Sequence, residues 1–403
     1  MIRVIMVTVQ YSLRRFWCGH RCPVVALLFS AALVACSTTP HSVREISDLP
    51  PLQLERRSVP VTEVASRVPS PDLLAIDDEM REFVQRNTSG VPHARQRLMM
   101  LHRAITGAGS LNLQYDAFAE GTAREVFHRG SANCLSYANL FVALAREAGL
   151  DARYQWLEMR PQWTRLGERV MVRMHVNVLV NLNRGAKYMV DIDPLPTRDI
   201  AGSREISDTD ALALYHNNIA MDALANEELE LAWLHAVRAV QLTPEEPYLW
   251  VNLGAIYRWA GQLQEAERSY LYALQLDPWE RSAMNNLAVL YGMEEREEER
   301  LHWLQRVRRH RDSNPYFHAW LGDQAAEGGD LRKALQHYEE ALDLLPGDSS
   351  LLYATGLIYY RLEDLQEASG YIRRAMEHAT LRSEIDTYQL KLEAVQRRQM
   401  AGS

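Results

Sequence analysis

From about residue 213 onward, small residues and prolines return at intervals of 34 positions or its multiples. Three such series are Gly254, Gly322 and Gly356; Ala232, Ala266, Ala334 and Ala368; and Pro244, Pro278 and Pro346. A period of this length is typical of stacked helix pairs, in which small residues let two helices approach closely and a proline ends the second helix. The pattern predicts five such pairs over residues 213–382, followed by a polar capping helix over residues 383–403.

The unit that begins at Pro247 has the most complete pattern. Its characteristic residues are Trp250, Leu253, Gly254, Tyr257, Ala266, Tyr270, Ala273 and Pro278. This set resembles the tetratricopeptide repeat, which implies an all-α solenoid that binds peptides or protein partners in its concave groove. The third unit departs from the pattern, because Arg300 replaces the small residue and Asp312 stands where proline is expected. We also expect the acidic stretch 294–299 to fray the start of its second helix.

The region before the repeats has a mixed pattern over residues 71–200. Helical spacing of apolar residues begins near Ile76, and a further helix is predicted over residues 134–148. Strict alternation then marks a strand over residues 170–182, with valines on one face and mostly polar residues on the other. A second strand over residues 187–193 is predicted to return antiparallel to it. This region therefore has the pattern of an α+β domain with an antiparallel sheet.

Composition places the chain among globular proteins with more than one domain. It has 403 residues, of which 47% are apolar and 24% charged, and its formal net charge is −8. No strong basic run occurs outside the N-terminal segment, whereas proteins that bind phosphate backbones cluster lysine and arginine. We therefore expect no nucleic-acid partner.

Residues 1–35 contain four arginines and no acidic residue, and an apolar run covers residues 23–34. The run is too short to cross a bilayer as a mature helix and fits an export signal. It ends in Leu-Val-Ala before Cys36, and Ser37 follows. This sequence resembles a bacterial lipobox. The resemblance implies a lipoprotein signal peptide over residues 1–35, acylation at Cys36 and, from Ser37, a location at the outer membrane facing the periplasm. A plain N-terminal anchor helix is the alternative.

Residues 36–70 are rich in serine, threonine, proline and charge, and they show no clear period. Such a composition is typical of a linker. We predict that this segment is a tether between the membrane and the first domain.

The number and positions of the cysteines limit which disulfides and thiol sites the chain can form. The four cysteines are Cys18, Cys22, Cys36 and Cys134. Export would remove the first two and acylation would occupy the third, so Cys134 is the only free thiol of the predicted mature chain. An intrachain disulfide and a cysteine-rich metal site are then excluded. We expect neither a metal ion nor a cofactor.

Cys134 opens its predicted helix, His175 lies on the alternating strand, and Asp191 lies on the strand that follows. This order and spacing resemble the transglutaminase-like superfamily, which has a papain-like core with a Cys-His-Asp triad. The resemblance implies that Cys134 is the nucleophile, His175 the general base and acid, and Asp191 the carboxylate that orients the imidazole. Asp193 points to the same side as Asp191 and stays an alternative. In the structural alternative, Cys134 is only a small buried core residue.

Members of this superfamily cross-link amines, hydrolyse or deamidate amides and transfer acyl groups, in each case through an acyl-enzyme. We predict an envelope lipoprotein whose core is a thiol-dependent acyltransferase or a peptide or amide hydrolase, guided to partners by its repeats. The alternative is a non-catalytic scaffold in which the core and the repeats only bind proteins. A cross-linking transglutaminase is a third hypothesis.

Asn218, Asn252 and Asn286 lie one period apart on three successive first helices of the repeats. In peptide-binding tetratricopeptide repeats, asparagine at such a position can hold the backbone or carboxylate of a ligand. The resemblance therefore implies that these three residues contact a ligand in the groove, although the lysines of a full carboxylate clamp are absent. The alternative is a solvated helix face on which asparagine is tolerated.

Overall fold

A computed structural model describes residues 2–3, 49–107, 110–159, 162–163, 170–171, 173–182, 187–195, 200–379 and 382–402. The predicted signal peptide beyond residue 3, the predicted acylation site Cys36 and the tether up to residue 48 lie outside these ranges. None of the described helices is both long enough and apolar enough to cross a lipid bilayer.

Strands and helices alternate in the first half of the chain, and helices alone follow. The strands are β1 (Ile2–Arg3), β2 (Leu52–Gln53), β3 (Ser58–Val59), β4 (Gln114–Tyr115), β5 (Ser131–Ala132), β6 (Asp151–Met159), β7 (Gln162–Trp163), β8 (Val170–Met171), β9 (Arg173–Asn181), β10 (Lys187–Val190) and β11 (Ile200–Ile206). The helices are α1 (Val64–Arg67), α2 (Asp78–Thr88), α3 (Ala94–Thr106), α4 (Ala123–Arg129), α5 (Cys134–Glu147), α6 (Asp208–Ala225), α7 (Leu229–Leu242), α8 (Pro247–Trp259), α9 (Leu263–Leu276), α10 (Arg281–Met293), α11 (Glu297–Asp312), α12 (Pro315–Glu327), α13 (Leu331–Leu344), α14 (Ser349–Arg361), α15 (Leu365–His378) and α16 (Arg382–Gly402). The predicted fold class, an α+β core followed by an all-α repeat region, is confirmed.

The central strand of the core is β9, which pairs antiparallel with β6 and with β10. β11 extends the sheet beyond β6, and α5 packs against β6 and β9. Val176, Val178 and Val180 of β9 are fully buried, as the alternation predicts for β-branched residues on a core face. The other face differs from the prediction, because His175 and Asn177 are also buried, at 6% and 1% exposed. This part of β9 therefore lies inside the protein on both faces.

The described part of the repeat region consists of five helix pairs followed by α16. From α8 onward, each first helix begins 34 residues after the one before it, and each second helix from α7 onward does the same. The first pair begins earlier than predicted, at Asp208 instead of residue 213. Ser207 caps α6 there by accepting a hydrogen bond from the Asp210 N–H, and this cap sets the start of the helix.

The turn within each pair has its own 34-residue repeat. Glu227, Gly261, Glu295, Gly329 and Glu363 all have a positive φ, between 58° and 84°. Glycine adopts this conformation readily, whereas a residue with a Cβ does so at a cost. The same tight turn is therefore built in every pair, including those without the glycine that would suit it.

The third pair shows what its unusual residues do. Without a proline at position 312, α11 continues to Asp312, whereas α9 and α13 end two residues before Pro278 and Pro346. The expected fraying is wrong, because α11 begins in the same register as the other second helices. Arg296 stabilises this start by ion pairs with nearby glutamates.

The prediction that residues 36–70 form a tether is wrong for residues 49–70. Leu52, Val59 and Val64 in this segment are buried, and the segment packs on the first two helix pairs. The Tyr257 hydroxyl donates to the Pro50 carbonyl over 2.5 Å, and the Gln53 N–H donates to Gln262 Oε1 over 2.8 Å. This segment is an ordered strap that ties the start of the core to the repeats.

The strap ends in a row of hydrogen bonds that enters the first helix pair. Arg238 Nε donates to Ser70 Oγ (2.9 Å), which lies 3.0 Å from His216 Nε2, and His216 Nδ1 lies 3.0 Å from His235 Nδ1. Burial lowers the pKa of His216 to about 3 and that of His235 to about 4. Both imidazoles are therefore neutral near neutral pH, so the hydroxyl of Ser70 can donate to one ring and that ring to the next.

The core and the repeats also contact each other directly. Arg146 of α5 forms a two-pronged ion pair with Asp208 of α6, over 2.6 and 2.8 Å. The rings of Trp156 in β6 and Tyr248 in α8 lie 5.3 Å apart. One hydrophobic cluster runs from the strap through the core and into the third helix pair. A second cluster covers the last two pairs and α16.

Small residues allow the close approach of the helices within each pair. A Cβ added to Gly254 would lie 2.6 Å from Cε1 of Tyr270, and one added to Gly322 would lie 2.9 Å from the ring of Tyr338. Both tyrosines are buried, so their rings cannot move away freely. The role that the sequence pattern predicts for these glycines agrees with the packing.

We expect Gly254→Ala to lower the free energy of unfolding by about 1–3 kcal/mol, because the new methyl group overpacks a buried ring. Gly370→Ala is the matched control, since a Cβ there meets nothing within 4 Å and the residue lies inside α15. Replacing glycine by alanine in a helix interior stabilises by about 0.5–1 kcal/mol. Urea unfolding followed by circular dichroism measures both variants, and equal effects would contradict the packing argument.

Candidate active site

The first turn of α5 fixes the position of Cys134, the first residue of that helix. The Ser136 N–H donates to Asn133 Oδ1 (2.8 Å), and the Asn133 N–H donates to Ser136 Oγ (2.9 Å). This reciprocal cap satisfies two backbone donors that a helix end leaves unpaired. The Ser136 hydroxyl also donates to the Ala119 carbonyl over 2.6 Å, which attaches the preceding loop to the helix. Cys134 is 1% exposed and is the one cysteine among the described residues.

His175 and Asp191 come together because β9 and β10 are antiparallel neighbours. Val190 pairs with Val178, so Asp191 leaves the end of β10 beside the part of β9 that carries His175. His175 Nε2 lies 2.5 Å from Asp191 Oδ2, and both side chains are buried, at 7% and 5% exposed. The pair is therefore shielded from water.

The structure distinguishes the two candidate carboxylates. Asp191 contacts the imidazole, whereas Asp193 is exposed and donates its backbone N–H to Asp191 Oδ1 over 3.1 Å. This hydrogen bond helps to hold the Asp191 carboxylate in its orientation. By position, Asp191 is the partner of His175, and Asp193 braces that partner through its main chain.

Cys134 and His175 are close enough to shift each other's pKa. Since Nε2 of the ring faces Asp191, Nδ1 is the nitrogen left for the thiol. Burial alone raises the pKa of Cys134, whereas the interaction with His175 lowers it. Burial alone lowers the pKa of His175, but its hydrogen bonds with Asp191 and Cys134 raise it to about 9. These directions favour a thiolate beside an imidazolium near neutral pH.

Such a pair can do nucleophilic chemistry. A thiolate at a helix N-terminus gains from the positive end of the helix dipole. A neighbouring imidazolium can protonate a leaving group, and a carboxylate can fix the tautomer and orientation of the ring. The structure thus brings Cys134, His175 and Asp191 together in an arrangement able to form and break a thioester.

Glu120 belongs to the surroundings of the site, although no sequence pattern singles it out. Its Oε2 accepts hydrogen bonds from Asn133 Nδ2 (2.9 Å) and from Asn218 Nδ2 (2.8 Å). Burial raises the pKa of this carboxyl. Glu120 therefore joins the residue that caps the Cys134 helix to the first helix of the repeats. Residues near it show no periodic spacing, so sequence reasoning missed it.

The predicted asparagine ladder serves a different purpose. Asn218, Asn252 and Asn286 are buried, at 8%, 2% and 5% exposed. Asn218 binds Glu120, and Asn252 Nδ2 donates to Asn217 Oδ1 over 2.7 Å. The expectation that the ladder contacts a ligand is not supported by this geometry, because the side chains are covered and two of them bind within the chain.

Other polar groups lie close to the site. Tyr115, 39% exposed, pairs through β4 with Ala132 of β5, two residues before Cys134. Asn177 lies two positions from His175 and is paired across the strands with Gln155. Both amides are buried, and Oε1 of Gln155 and the two polar atoms of the Asn177 amide have no hydrogen-bond partner in the described structure.

Among the described residues, the group whose histidine and carboxylate atoms converge as metal ligands is His318, His337 and Glu340, in α12 and α13.

The pH dependence of Cys134 alkylation tests the triad. In the unaltered chain, the alkylation rate of Cys134 should rise with pH. It should reach its plateau at a lower pH than for an ordinary thiol, because His175 favours the thiolate. Asp191→Asn should move this rise to higher pH, because an uncharged amide supports the His175 imidazolium less well and so weakens its effect on the thiol. Iodoacetamide labelling, followed by peptide mass spectrometry of Cys134, gives the profile.

Asp193→Asn is the matched control for this experiment. It removes an exposed charge of the same kind and leaves the backbone hydrogen bond to Asp191 intact. Its profile should match that of the unaltered chain. Equal shifts in the two variants would show that Asp191 acts only as a nearby charge.

Two family models match parts of the chain. Residues 81–189 match the transglutaminase-like superfamily, and residues 247–278 match the tetratricopeptide repeat. General transcriptional corepressor trfA of Dictyostelium discoideum is 30% identical over 115 residues, which are 28% of this chain and 8% of that protein. Anaphase-promoting complex subunit CDC16 of Saccharomyces cerevisiae is 23% identical over 140 residues, which are 35% of this chain and 17% of that protein. The chain therefore spans a small part of the length of these relatives.

Solved structures with some likeness are repeat proteins at low identity. MamA 41-end from Desulfovibrio magneticus RS-1 is 19% identical, with 43% of this chain and 96% of that chain covered and a TM-score of 0.24. PilF of Pseudomonas aeruginosa is 15% identical, with 49% and 100% covered and a TM-score of 0.25. On the two family matches and the fold described above, the chain carries a transglutaminase-like core over residues 81–189, followed by tetratricopeptide repeats.

Proposed function

We propose that the core is a thiol-dependent enzyme that cleaves or transfers the acyl group of a peptide or isopeptide amide. The observation that carries this proposal is the buried group of Cys134, His175 and Asp191, with the thiol at a helix N-terminus and the imidazole paired with Asp191 and interacting with Cys134. A buried acid-base pair of this kind is costly unless its charges are paired. Buried titratable groups whose pKa values are shifted by a charged partner are common at catalytic sites.

The first half of the reaction forms an acyl-enzyme. The Cys134 sulfur attacks the carbonyl carbon of the amide, so that a C–S bond forms and the carbonyl electron pair moves to oxygen. When the carbonyl re-forms, the C–N bond breaks, and the His175 imidazolium gives its proton to the departing nitrogen. The products are a thioester on Cys134, a free amine and a neutral His175.

The second half transfers the acyl group to an acceptor. Neutral His175 takes a proton from water as the water oxygen attacks the thioester, and the C–S bond breaks. The acid leaves, and the thiolate and imidazolium are restored. A primary amine in place of water would give cross-linking by the same steps. We favour water, since an exported lipoprotein would meet envelope proteins and cell-wall peptides as substrates.

The repeats are proposed to bring a protein or peptide partner to the core. Solenoids of helix pairs present extended surfaces made of many equivalent positions. The match of residues 247–278 to the tetratricopeptide repeat supports this role. Because the asparagine ladder is buried, other exposed side chains of the repeats would make the contacts.

A specific observation favours the second candidate, a non-catalytic scaffold. Cys134 is only 1% exposed in this structure, as a small core residue would be. In a scaffold, the triad residues would serve only to stabilise the core, and the core and repeats would act together as a binding surface. The two candidate functions differ in whether the Cys134 thiol takes part in a catalytic cycle.

Turnover can be measured with dimethylcasein in the presence of a fluorescent primary amine. New amino termini report hydrolysis, released ammonia reports deamidation, and bound fluorescence reports amine transfer. We expect hydrolysis that Cys134→Ala abolishes and that His175→Ala slows by about 10³-fold or more, because residues of such a site act as one unit. Asp193→Asn should retain the activity.

Two outcomes would contradict the enzyme hypothesis. If Cys134→Ala turned over substrate as fast as the unaltered chain, another residue would carry the activity. No conversion by any readout, together with an ordinary alkylation profile of Cys134, would favour the scaffold. Amine transfer without hydrolysis would instead identify a cross-linking enzyme with the same triad.

We also propose that the protein is a lipoprotein of the cell envelope, anchored through Cys36 at the outer membrane and facing the periplasm. The basic segment, the apolar run and the Leu-Val-Ala-Cys sequence before Ser37 support this location. One acyl chain gives only weak membrane binding, whereas the several chains of a mature lipoprotein give a stable anchor.

Cys36→Ala tests the anchor. In a Gram-negative host, this variant should lose incorporation of labelled palmitate and should keep the mass of the uncleaved chain. Cys22→Ala is the matched control, because that cysteine would leave with the signal peptide and its loss should change neither property. Palmitate labelling that persists in Cys36→Ala would overturn the assignment.

A further inference from the structure

Two histidines and a carboxylate converge between α12 and α13, the two helices of the fourth repeat. His318 Nδ1 lies 2.9 Å from Glu340 Oε2, and His337 Nδ1 lies 3.2 Å from the same oxygen. All three ligand atoms lie within 4.8 Å of one another. His337 and Glu340 are three positions apart on α13, so they project from the same side of that helix. His318 reaches them from α12.

The other nitrogen of His318 fixes which atom faces the cluster. His318 Nε2 lies 2.8 Å from the backbone carbonyl of Asp312. A carbonyl oxygen only accepts hydrogen bonds, so Nε2 carries the proton of the ring. In the neutral ring, the lone pair of Nδ1 then points toward the Glu340 carboxylate, which is also an acceptor. Two acceptors at 2.9 Å repel each other unless a cation lies between them or close by.

The arrangement matches a known feature of metal ligands. A histidine that binds a metal through one ring nitrogen usually donates the other N–H to a backbone carbonyl or carboxylate, which fixes the tautomer and the ring orientation. His318 has this second contact already. The side chains of both histidines are 17% exposed, so the cluster is partly shielded and still open to an entering ion.

We propose that His318, His337 and Glu340 bind a divalent transition-metal ion, of which zinc is the best fit. Imidazole nitrogens with one carboxylate oxygen suit zinc better than magnesium or calcium, which prefer oxygen ligands. Ligand atoms about 2.0–2.2 Å from a tetrahedral zinc lie about 3.3 Å apart, close to the two distances from Glu340 Oε2 to the histidine nitrogens. Water would complete the coordination. The site departs from the expectation, based on cysteine usage, that the chain binds no metal.

The position of the site indicates what the ion would do. The last two helix pairs and α16 share a hydrophobic cluster separate from the one that joins the core to the first three pairs. A metal held by α12 and α13 would cross-link the two helices at the start of this smaller cluster. An ion that binds only the folded state adds stability that increases with its concentration.

Isothermal titration of the metal-stripped full chain with zinc chloride at neutral pH tests the proposal. The chain carries Cys134→Ser, because the Cys134–His175 pair could itself bind zinc. We expect one zinc ion per chain, and we expect Glu340→Gln and His337→Ala each to weaken binding at least about tenfold. Glu339→Gln is the matched control, since Glu339 is the exposed neighbour of Glu340 on α13, and it should bind as before.

Thermal unfolding gives a second measurement that does not depend on the heat of binding. Zinc should raise the unfolding midpoint of the unaltered cluster and of Glu339→Gln, but not that of Glu340→Gln. Zinc binding that is as strong in Glu340→Gln and His337→Ala as in the chain with the unaltered cluster would place the ion elsewhere and overturn the proposal. No zinc binding, with His318 holding two protons at neutral pH by NMR, would also overturn it, since a proton would then be the cation in the cluster.

Discussion

The hydrogen bonds that close the N-terminus of α5 hold the Cys134 thiol in place, and the rest of the site is arranged around that point. Asn133 and Ser136 satisfy each other's backbone N–H groups, and the Ser136 hydroxyl reaches the Ala119 carbonyl. All of these groups lie out of contact with water or nearly so. Removing one partner would leave a buried polar group unpaired, at a cost of about 1–3 kcal/mol. The position of the sulfur therefore depends on the cap of its helix more than on contacts of its own.

The same cap connects the core to the repeats. Glu120 accepts hydrogen bonds from Asn133 on one side and from Asn218 of α6 on the other. Burying a carboxyl group is unfavourable, and these two amide donors offset part of that cost. The hydrophobic cluster continues across the same boundary without a break. The change of pattern near residue 213 is therefore a change of secondary structure within one packed body, and the strap from residue 49 to 70 adds a further connection.

The sequence predicts best what depends on local order. Each repeat is built from residues close to one another along the chain, so its period is visible in the sequence. Strand alternation likewise assigns His175 to one face of β9. The choice between Asp191 and Asp193 depended on the register of β10 against β9, which alternation alone cannot fix. The partner of Asn218 lies 98 positions away, so a ladder that suggested ligand contacts proved to be internal. The strap was missed because its few apolar residues have no period and are buried only by the repeats.

These contacts decide what the repeats contribute to the core. A fragment ending at β11 would lose the Asn218 donor of Glu120, the Asp208 partner of Arg146 and the Tyr248 ring that covers Trp156. Each loss would leave a buried or partly buried group without one of its partners. The first repeats thus act as part of the foundation of the Cys134 site as well as a surface for partners. The last two pairs share a separate hydrophobic cluster with α16.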